Sequence, residues 1–148
     1  LYYADKAVMA NPFEPNYYRG RAKVNTVLLV SSQDKQKVKQ EIFDDLKKSF
    51  ELNKNNLVTI RNSIPIYYFL AVGDIYKAPG DDNYDDKYIG YVKDFFNDIK
   101  NRYPNDVGVI LSVAKYEKKL GLEESYKNSV GRIKFLRPDL LEWHELFR

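Results

Sequence analysis

Four helix-breaking phrases punctuate this chain: Asn11-Pro12, Asn53-Lys54-Asn55-Asn56, Pro104-Asn105-Asp106 and Pro138-Asp139. Proline removes a backbone donor and clashes with the preceding helical turn, while Asn and Asp offer the backbone side-chain partners outside a helix. Each phrase follows an amphipathic run and precedes another apolar one. Pro104 and Pro138 stand 34 residues apart, the period of a helix–turn–helix unit that stacks into a solenoid. Such arrays exist to present a surface, so the spacing points to binding or scaffolding rather than chemistry.

Apolar residues at helical spacing fill the segments between the breaks. Helices are expected over 1–10, 15–30, 34–52, 57–76, 87–101, 107–120, 123–135 and 140–148, with Pro15 at a first turn and Gly121 as a cap. The run 34–52 places Ile42, Phe43, Leu46, Ser49 and Phe50 on one face, and 123–135 turns Tyr126, Val130, Ile133 and Phe135 inward. Pro65 inside 57–76 predicts a kink or a split into two helices. The stretch 77–86 (Lys-Ala-Pro-Gly-Asp-Asp-Asn-Tyr-Asp-Asp) reads as a loop. No segment reads as strand, and the fold class expected is all-α.

A length of 148 residues suits one domain over 1–148, and 44% hydrophobic with 30% charged residues is a folded composition. The net charge of +3 is too small to argue for nucleic acid. Cysteine is absent, which excludes disulfides, thiolate catalysis and cysteine–zinc sites. The longest apolar run, from Ile64 to Val72, is about half the ~20 residues a membrane span needs. The chain opens on Leu1, and 1–10 reads as the second half of a helix. It is therefore expected to be a piece of something longer, joined to a membrane only through an upstream segment. Its compartment is left open.

Candidate chemistry is sparse. Asp81, Asp82, Asp85 and Asp86 offer carboxylates that could hold calcium, but their spacing is not that of an EF-hand loop, and a solvated loop is the simpler reading. His144 is the only histidine; a zinc-protease helix needs a second one four residues after the first. Ser31, Ser32 and Ser125 lack the strand–turn–helix setting of a nucleophile elbow. No glycine-rich phosphate loop exists, so no metal, no cofactor and no catalytic residue is expected. Thirteen tyrosines and eight phenylalanines include the pairs Tyr2-Tyr3, Tyr17-Tyr18, Tyr67-Tyr68 and Phe95-Phe96. Helical neighbours diverge by about a quarter-turn, so one member of each pair can pack inward while the other reaches solvent or a groove.

The register Ile42, Leu46, Ser49, Lys54, then Val92, Phe96, Ile99, Pro104, then Tyr126, Val130, Ile133, Pro138 resembles the second helix and closing proline of tetratricopeptide repeats. The phrase from Lys48 to Asn56 is most similar to the family's closing sequence, with Lys54 where proline is usual. Several slots that the family fills with alanine or glycine hold Ile, Val or Tyr. Closing marks at 12, 54, 104 and 138 give only one unit of the family's length. The resemblance implies a right-handed α-solenoid of antiparallel helix hairpins, about three pairs plus terminal helices, with units near 1–12, 15–54, 57–104 and 107–138 and a cap at 139–148. A nonrepetitive helical bundle is the alternative. The family's first helices line a concave face, which implies Arg19, Arg61, Tyr68, Lys115, Lys118 and Lys119 as a basic, aromatic partner-binding surface. Its partner would be a protein or an acidic peptide, or an anionic glycan; ordinary solubilising charge is the plainer reading of the lysines.

A second segment, Ala4-Asp5-Lys6-Ala7 followed by the run from Asn11 to Ala22, is similar to the repeat region behind the membrane part of bacterial O-antigen polymerase/ligase-like proteins. That resemblance implies a soluble extracytoplasmic tail whose catalytic part lies elsewhere.

Overall fold

The computed structural model describes residues 1–73 and 86–147, and the described residues are mostly helical. Among the described residues run α1 (Tyr2–Ala10), α2 (Pro15–Leu29), α3 (Lys35–Leu52), α4 (Leu57–Val72), α5 (Asp86–Arg102), α6 (Val107–Lys119), α7 (Glu123–Leu136) and α8 (Leu140–Trp143). A 3₁₀ turn at Glu145–Phe147 follows, so the expected final helix over 140–148 is two short pieces. No strand occurs among the described residues.

Capping chemistry sets the starts. Glu14 accepts from the Asn16 amide, Asp34 from that of Lys37, Asn56 from that of Thr59 and Asp106 from that of Val109, at 3.0–3.1 Å. Each carboxylate or carboxamide satisfies an amide that the first helical turn leaves without a partner.

The four breaks form one recurring turn. The Glu14 amide donates to the Asn11 carbonyl, Asn56 to Asn53, Asp106 to Tyr103 and Leu140 to Arg137, over 3.1–3.3 Å. The residue that opens the turn is extended in the same way at Asn11 (φ −145°, ψ 88°), Asn53 (φ −153°, ψ 89°) and Arg137 (φ −145°, ψ 75°). Four residues before Asn53, Tyr103 and Arg137 lie Ser49, Ile99 and Ile133, all at 0% exposure, while Ala7, four before Asn11, is half-buried. Among the described connections these turns follow α1, α3, α5 and α7. The α6–α7 connection is built differently: Gly121 at φ +70° lets the Leu122 amide reach the Glu117 carbonyl at 2.9 Å, while the Gly121 amide reaches Lys118 at 3.2 Å. That is a Schellman cap, which needs a residue with no Cβ penalty in the left-handed region.

Two expectations about α4 change. It is one helix through Pro65, neither split nor interrupted. Pro65 leaves the Arg61 carbonyl without its helical partner, and Arg61 lies on the exposed side where water can serve that oxygen. The helix also stops at Val72 rather than 76, because Gly73 adopts φ +71° and its amide closes on the Phe69 carbonyl at 2.9 Å. The proposed acidic loop and calcium ligands at Asp81, Asp82, Asp85 and the Asp86 side chain lie outside the described residues.

The chain forms two compact units, Leu1–Val92 and Lys93–Arg148, divided within α5. In the first, α2 packs along α3, α4 contacts both, and α1 lies against α2. Ala22, Ile42, Leu46, Ile60, Ile64 and Leu70 are buried there to 2% exposure or less. Each such isoleucine or leucine contributes about 1.5–3 kcal/mol on leaving water. Polar ties reinforce the packing. Arg21 forks onto Asp45 with two 2.8 Å bonds and reaches Asp5 at 3.2 Å, joining α1, α2 and α3. The Ser49 hydroxyl donates to the Pro15 carbonyl at 2.7 Å, and Thr59 donates to Asn16 Oδ1 at 2.8 Å. At the start of α5, Tyr91 stacks on Phe43 with centroids 4.4 Å apart.

In the second unit α6 and α7 pair, and Ile110, Ala114, Ile133 and Leu140 form a buried cluster flanked by Val107, Leu111, Tyr126, Leu136, Leu146 and Phe147. Phe135, expected inward, is 76% exposed and sits under the Arg132 guanidinium, 5.2 Å away. Ile133 and Phe135 are about 200° apart around the helix, so burying one exposes the other. The aromatic pairs behave unequally. Tyr17 is 41% exposed and Tyr18 8%, as the quarter-turn argument requires, but Tyr67 and Tyr68, like Phe95 and Phe96, are buried together. Tyr2 and Tyr3 are both exposed. A helix such as α4, buried on most sides, has no solvent face to give the second ring.

Candidate functional site

The six residues implied as a partner surface fall in different units. Arg19 on α2, with Arg61 and Tyr68 on α4, belongs to the first; Lys115, Lys118 and Lys119 on α6 belong to the second. Arg61 is exposed. Arg19 is half-buried, and its Nε is a buried donor with no hydrogen-bond partner among the described residues. Tyr68 is 9% exposed and lies against Phe69, with ring centroids 5.8 Å apart, so it offers little surface to a partner.

The three lysines of α6 do form a group. Lys115 and Lys119 are four residues apart, and their ammonium groups stand 5.4 and 5.5 Å from the Tyr116 ring centroid. Lys118 projects over Tyr126 at 5.9 Å and donates to the Leu146 carbonyl at 3.1 Å. Cations over aromatic faces are held in place by the ring quadrupole, which fixes long side chains that would otherwise sweep freely. Burial raises the Tyr116 hydroxyl above its ordinary pKa. Beside this group a cavity of about 410 Å³ is lined by Glu117, Lys118, Gly121, Glu123, Tyr126 and Lys127. The surface is basic and aromatic, with acidic residues at its edge.

Sequence reasoning missed a second constellation, on the other side of the same hairpin. Glu117 is fully buried, Ser129 is 1% exposed, and Lys100 reaches both from α5. Lys100 Nζ donates to Glu117 Oε2 at 2.8 Å and to Ser129 Oγ at 3.1 Å, and Ser129 in turn donates to Glu117 Oε1. The triangle closes on itself. The serine proton points at a carboxylate and its oxygen accepts from the lysine. The trio therefore ties α5, α6 and α7 together. The signal was present in the sequence: Glu117 follows Ile110 and Ala114 at seven and three residues, on the apolar stripe of α6. A carboxylate on that stripe needs a buried cationic partner.

Above the triangle opens a cavity of about 390 Å³, lined by Asn97, Lys100 and Asn101 of α5, Asn128, Ser129 and Arg132 of α7, with Pro104 and Ile110. Arg132 is anchored, its Nε donating to the Pro104 carbonyl at 2.8 Å and its Nη2 to Asn105 Oδ1.

His144 accepts from the Leu146 amide at 3.1 Å through Nδ1 and lies between the rings of Trp143 and Phe147, each 5.9 Å away. No grouping of side chains able to hold a metal ion occurs among the described residues, and none of the described helices is long and apolar enough to cross a membrane. In comparisons with protein-family models, with curated proteins and with solved structures, nothing matches the chain.

Proposed function

We propose that this chain is a divergent helical-repeat module of the tetratricopeptide type that binds a protein partner and carries no catalysis of its own. One observation supports the reading above all: the same hydrogen-bonded turn recurs after every second helix, at Asn11, Asn53, Tyr103 and Arg137. Between two of those turns lies a hairpin connection of different build, capped by Gly121. A chain of repeated helix pairs needs one turn within each pair and one to the next, and a turn that recurs after alternate helices suits the second role.

The partner surface assigned is the lysine–tyrosine group of α6 in the second unit. Ammonium groups held over Tyr116 and Tyr126 suit an acidic peptide, which gains both charge pairing and ring contact. Fluorescence anisotropy with a labelled Glu/Asp-rich peptide tests this. Binding is expected to weaken as salt rises and to fall about tenfold in the Lys115→Glu, Lys119→Glu double variant. Equal binding by that variant, at an unchanged melting temperature, removes the surface from consideration.

A further inference from the structure

We infer that a cavity in the first unit, among α1, α2 and α3, is a binding site for a small aliphatic polyamine. The inference stands on that cavity alone and does not depend on the lysine group of α6 in the second unit. The cavity, of about 350 Å³, is lined by Asp5 of α1, Arg21 and Asn25 of α2, and Glu41, Asp44 and Asp45 of α3, with Leu1 its single apolar side chain. Helices α2 and α3 run antiparallel, since Ser49 bonds Pro15 while Asp45 meets Arg21. One turn beyond the Arg21–Asp45 fork, Asn25 and Glu41 therefore come to the same level on facing helices.

Asn25 is the residue that points to an occupant. It is 4% exposed, yet its carboxamide has no hydrogen-bond partner among the described residues. The partnerless side-chain atom sealed from solvent among those residues is Arg19 Nε, so the Asn25 carboxamide keeps an opening, and the space it lines is this cavity. A buried carboxamide without a partner carries an uncompensated desolvation cost, which a ligand bonded to it would offset.

The surrounding charge says what that ligand is. Four carboxylates stand against one guanidinium, a net side-chain charge of −3 in one concave site. Low-dielectric walls focus such a field on whatever enters. Arg21 is committed to both Asp45 oxygens and to Asp5 Oδ1, and Asp44 Oδ1 accepts from Gln40. Both Glu41 oxygens, Asp5 Oδ2 and Asp44 Oδ2 remain as acceptors among the described residues. The ligand must therefore donate, and an alkylammonium offers three donors with no acceptor. A single ammonium would leave most of the charge unmatched, so several joined by methylene chains suit the site better. Other ligands fit less well. No grouping of side chains able to hold a metal ion occurs among the described residues, and an anion would meet carboxylates on both α1 and α3.

The test is an NMR titration of the isotope-labelled chain with spermidine, a triamine that matches the site's charge. Magnesium chloride at equal ionic strength and Nα-acetyl-lysine amide, a single ammonium, are titrated separately. Spermidine is expected to shift the Asn25 side-chain amide signals saturably, with a midpoint at about 1 mM or below. Acetyl-lysine amide should bind about tenfold more weakly, and magnesium should leave the signals still. The Glu41→Gln, Asp44→Asn double variant should weaken spermidine binding about tenfold. Both residues are exposed, so the variant keeps its fold, which the dispersion of the same spectra verifies. Asn25→Leu should weaken binding about fivefold or more without lowering the melting temperature, because it removes a polar group that had no partner. The acidic-peptide binding assigned to α6 should be untouched by either variant, separating the two readings. No saturable shift with spermidine, the same shifts from magnesium, equal binding by acetyl-lysine amide, or spermidine binding that ignores the double variant would each overturn the assignment.

Discussion

Ser129 donates its hydroxyl proton to Glu117, a carboxylate at 0% exposure on the same stripe of α6 as Ile110 and Ala114. With Lys100 completing the triangle, one buried charge is balanced and its acceptor oxygens are occupied. That relationship controls how the second unit responds to substitution.

Glu117→Ala should lower the stability of the second unit by about 3 kcal/mol, because it leaves the largely buried Lys100 ammonium without its counter-charge. Replacing the whole set, Lys100→Met with Glu117→Leu and Ser129→Ala, should cost far less or nothing, since no unpaired charge remains. Urea unfolding of both variants checks the contrast. Equal losses would mean the triangle matters only as packing.

Arg21→Lys should destabilise the first unit by about 1 kcal/mol, although the charge is kept. Lysine cannot reproduce the two parallel bonds to Asp45 or reach Asp5 as well. Arg21→Ala should cost about 2–3 kcal/mol, because Asp45, 5% exposed, is left without its partner. The fork holds the guanidinium pKa above its ordinary value, chiefly through the Asp45 hydrogen bond, so Arg21 keeps its charge at mildly alkaline pH. Thermal unfolding at neutral and mildly alkaline pH should therefore give the same difference between wild type and variant.

Removing an N-cap from a recurring turn should cost about 1 kcal/mol at either place: Asn56→Ala before α4 and Asp106→Ala before α6. The two caps lie in separate units and share no partner, so their effects should add in the double variant. Hydrogen exchange at Thr59 and Val109, whose amides lose their acceptors, should quicken locally before either unit unfolds.

Tyr116 carries a pH dependence whose sign follows from its burial. Desolvation raises its pKa in the folded chain above the reference of 10.0, so the native state retains a proton that the unfolded chain releases. The stabilisation is fully present below about pH 10 and disappears as pH climbs through the folded value. Tyr116→Phe should remove this alkaline loss. An NMR titration of the Tyr116 ring should place its midpoint above the reference 10.0; a midpoint at or below it would contradict the direction.

Much of this fold could be read directly from local chemistry. Asn11, Asn53, Asn56, Asp106 and Pro138 act within three or four residues of themselves, so the breaks and most helix starts follow from side chains that cap or exclude nearby amides. Gly73 was an equally local signal, and it ended α4 before Tyr76 because glycine alone enters the left-handed region without strain. Burial was harder to read. Helical spacing names two candidate faces for a ring such as Phe135 or Tyr68, and the neighbouring helices choose between them.

The amino-acid order alone determined that the described chain is helical, where most of its helices begin, and where the chain breaks after alternate helices. Tertiary structure decided that Tyr67 and Tyr68 are both buried and that Phe135 is exposed. It also drew Lys100, Glu117 and Ser129 from three helices into one triangle. Capping and chain-breaking act between neighbours along the backbone and are written in consecutive residues. Pairing a buried charge depends on groups 12 to 29 positions apart, whose meeting is set only when helices pack.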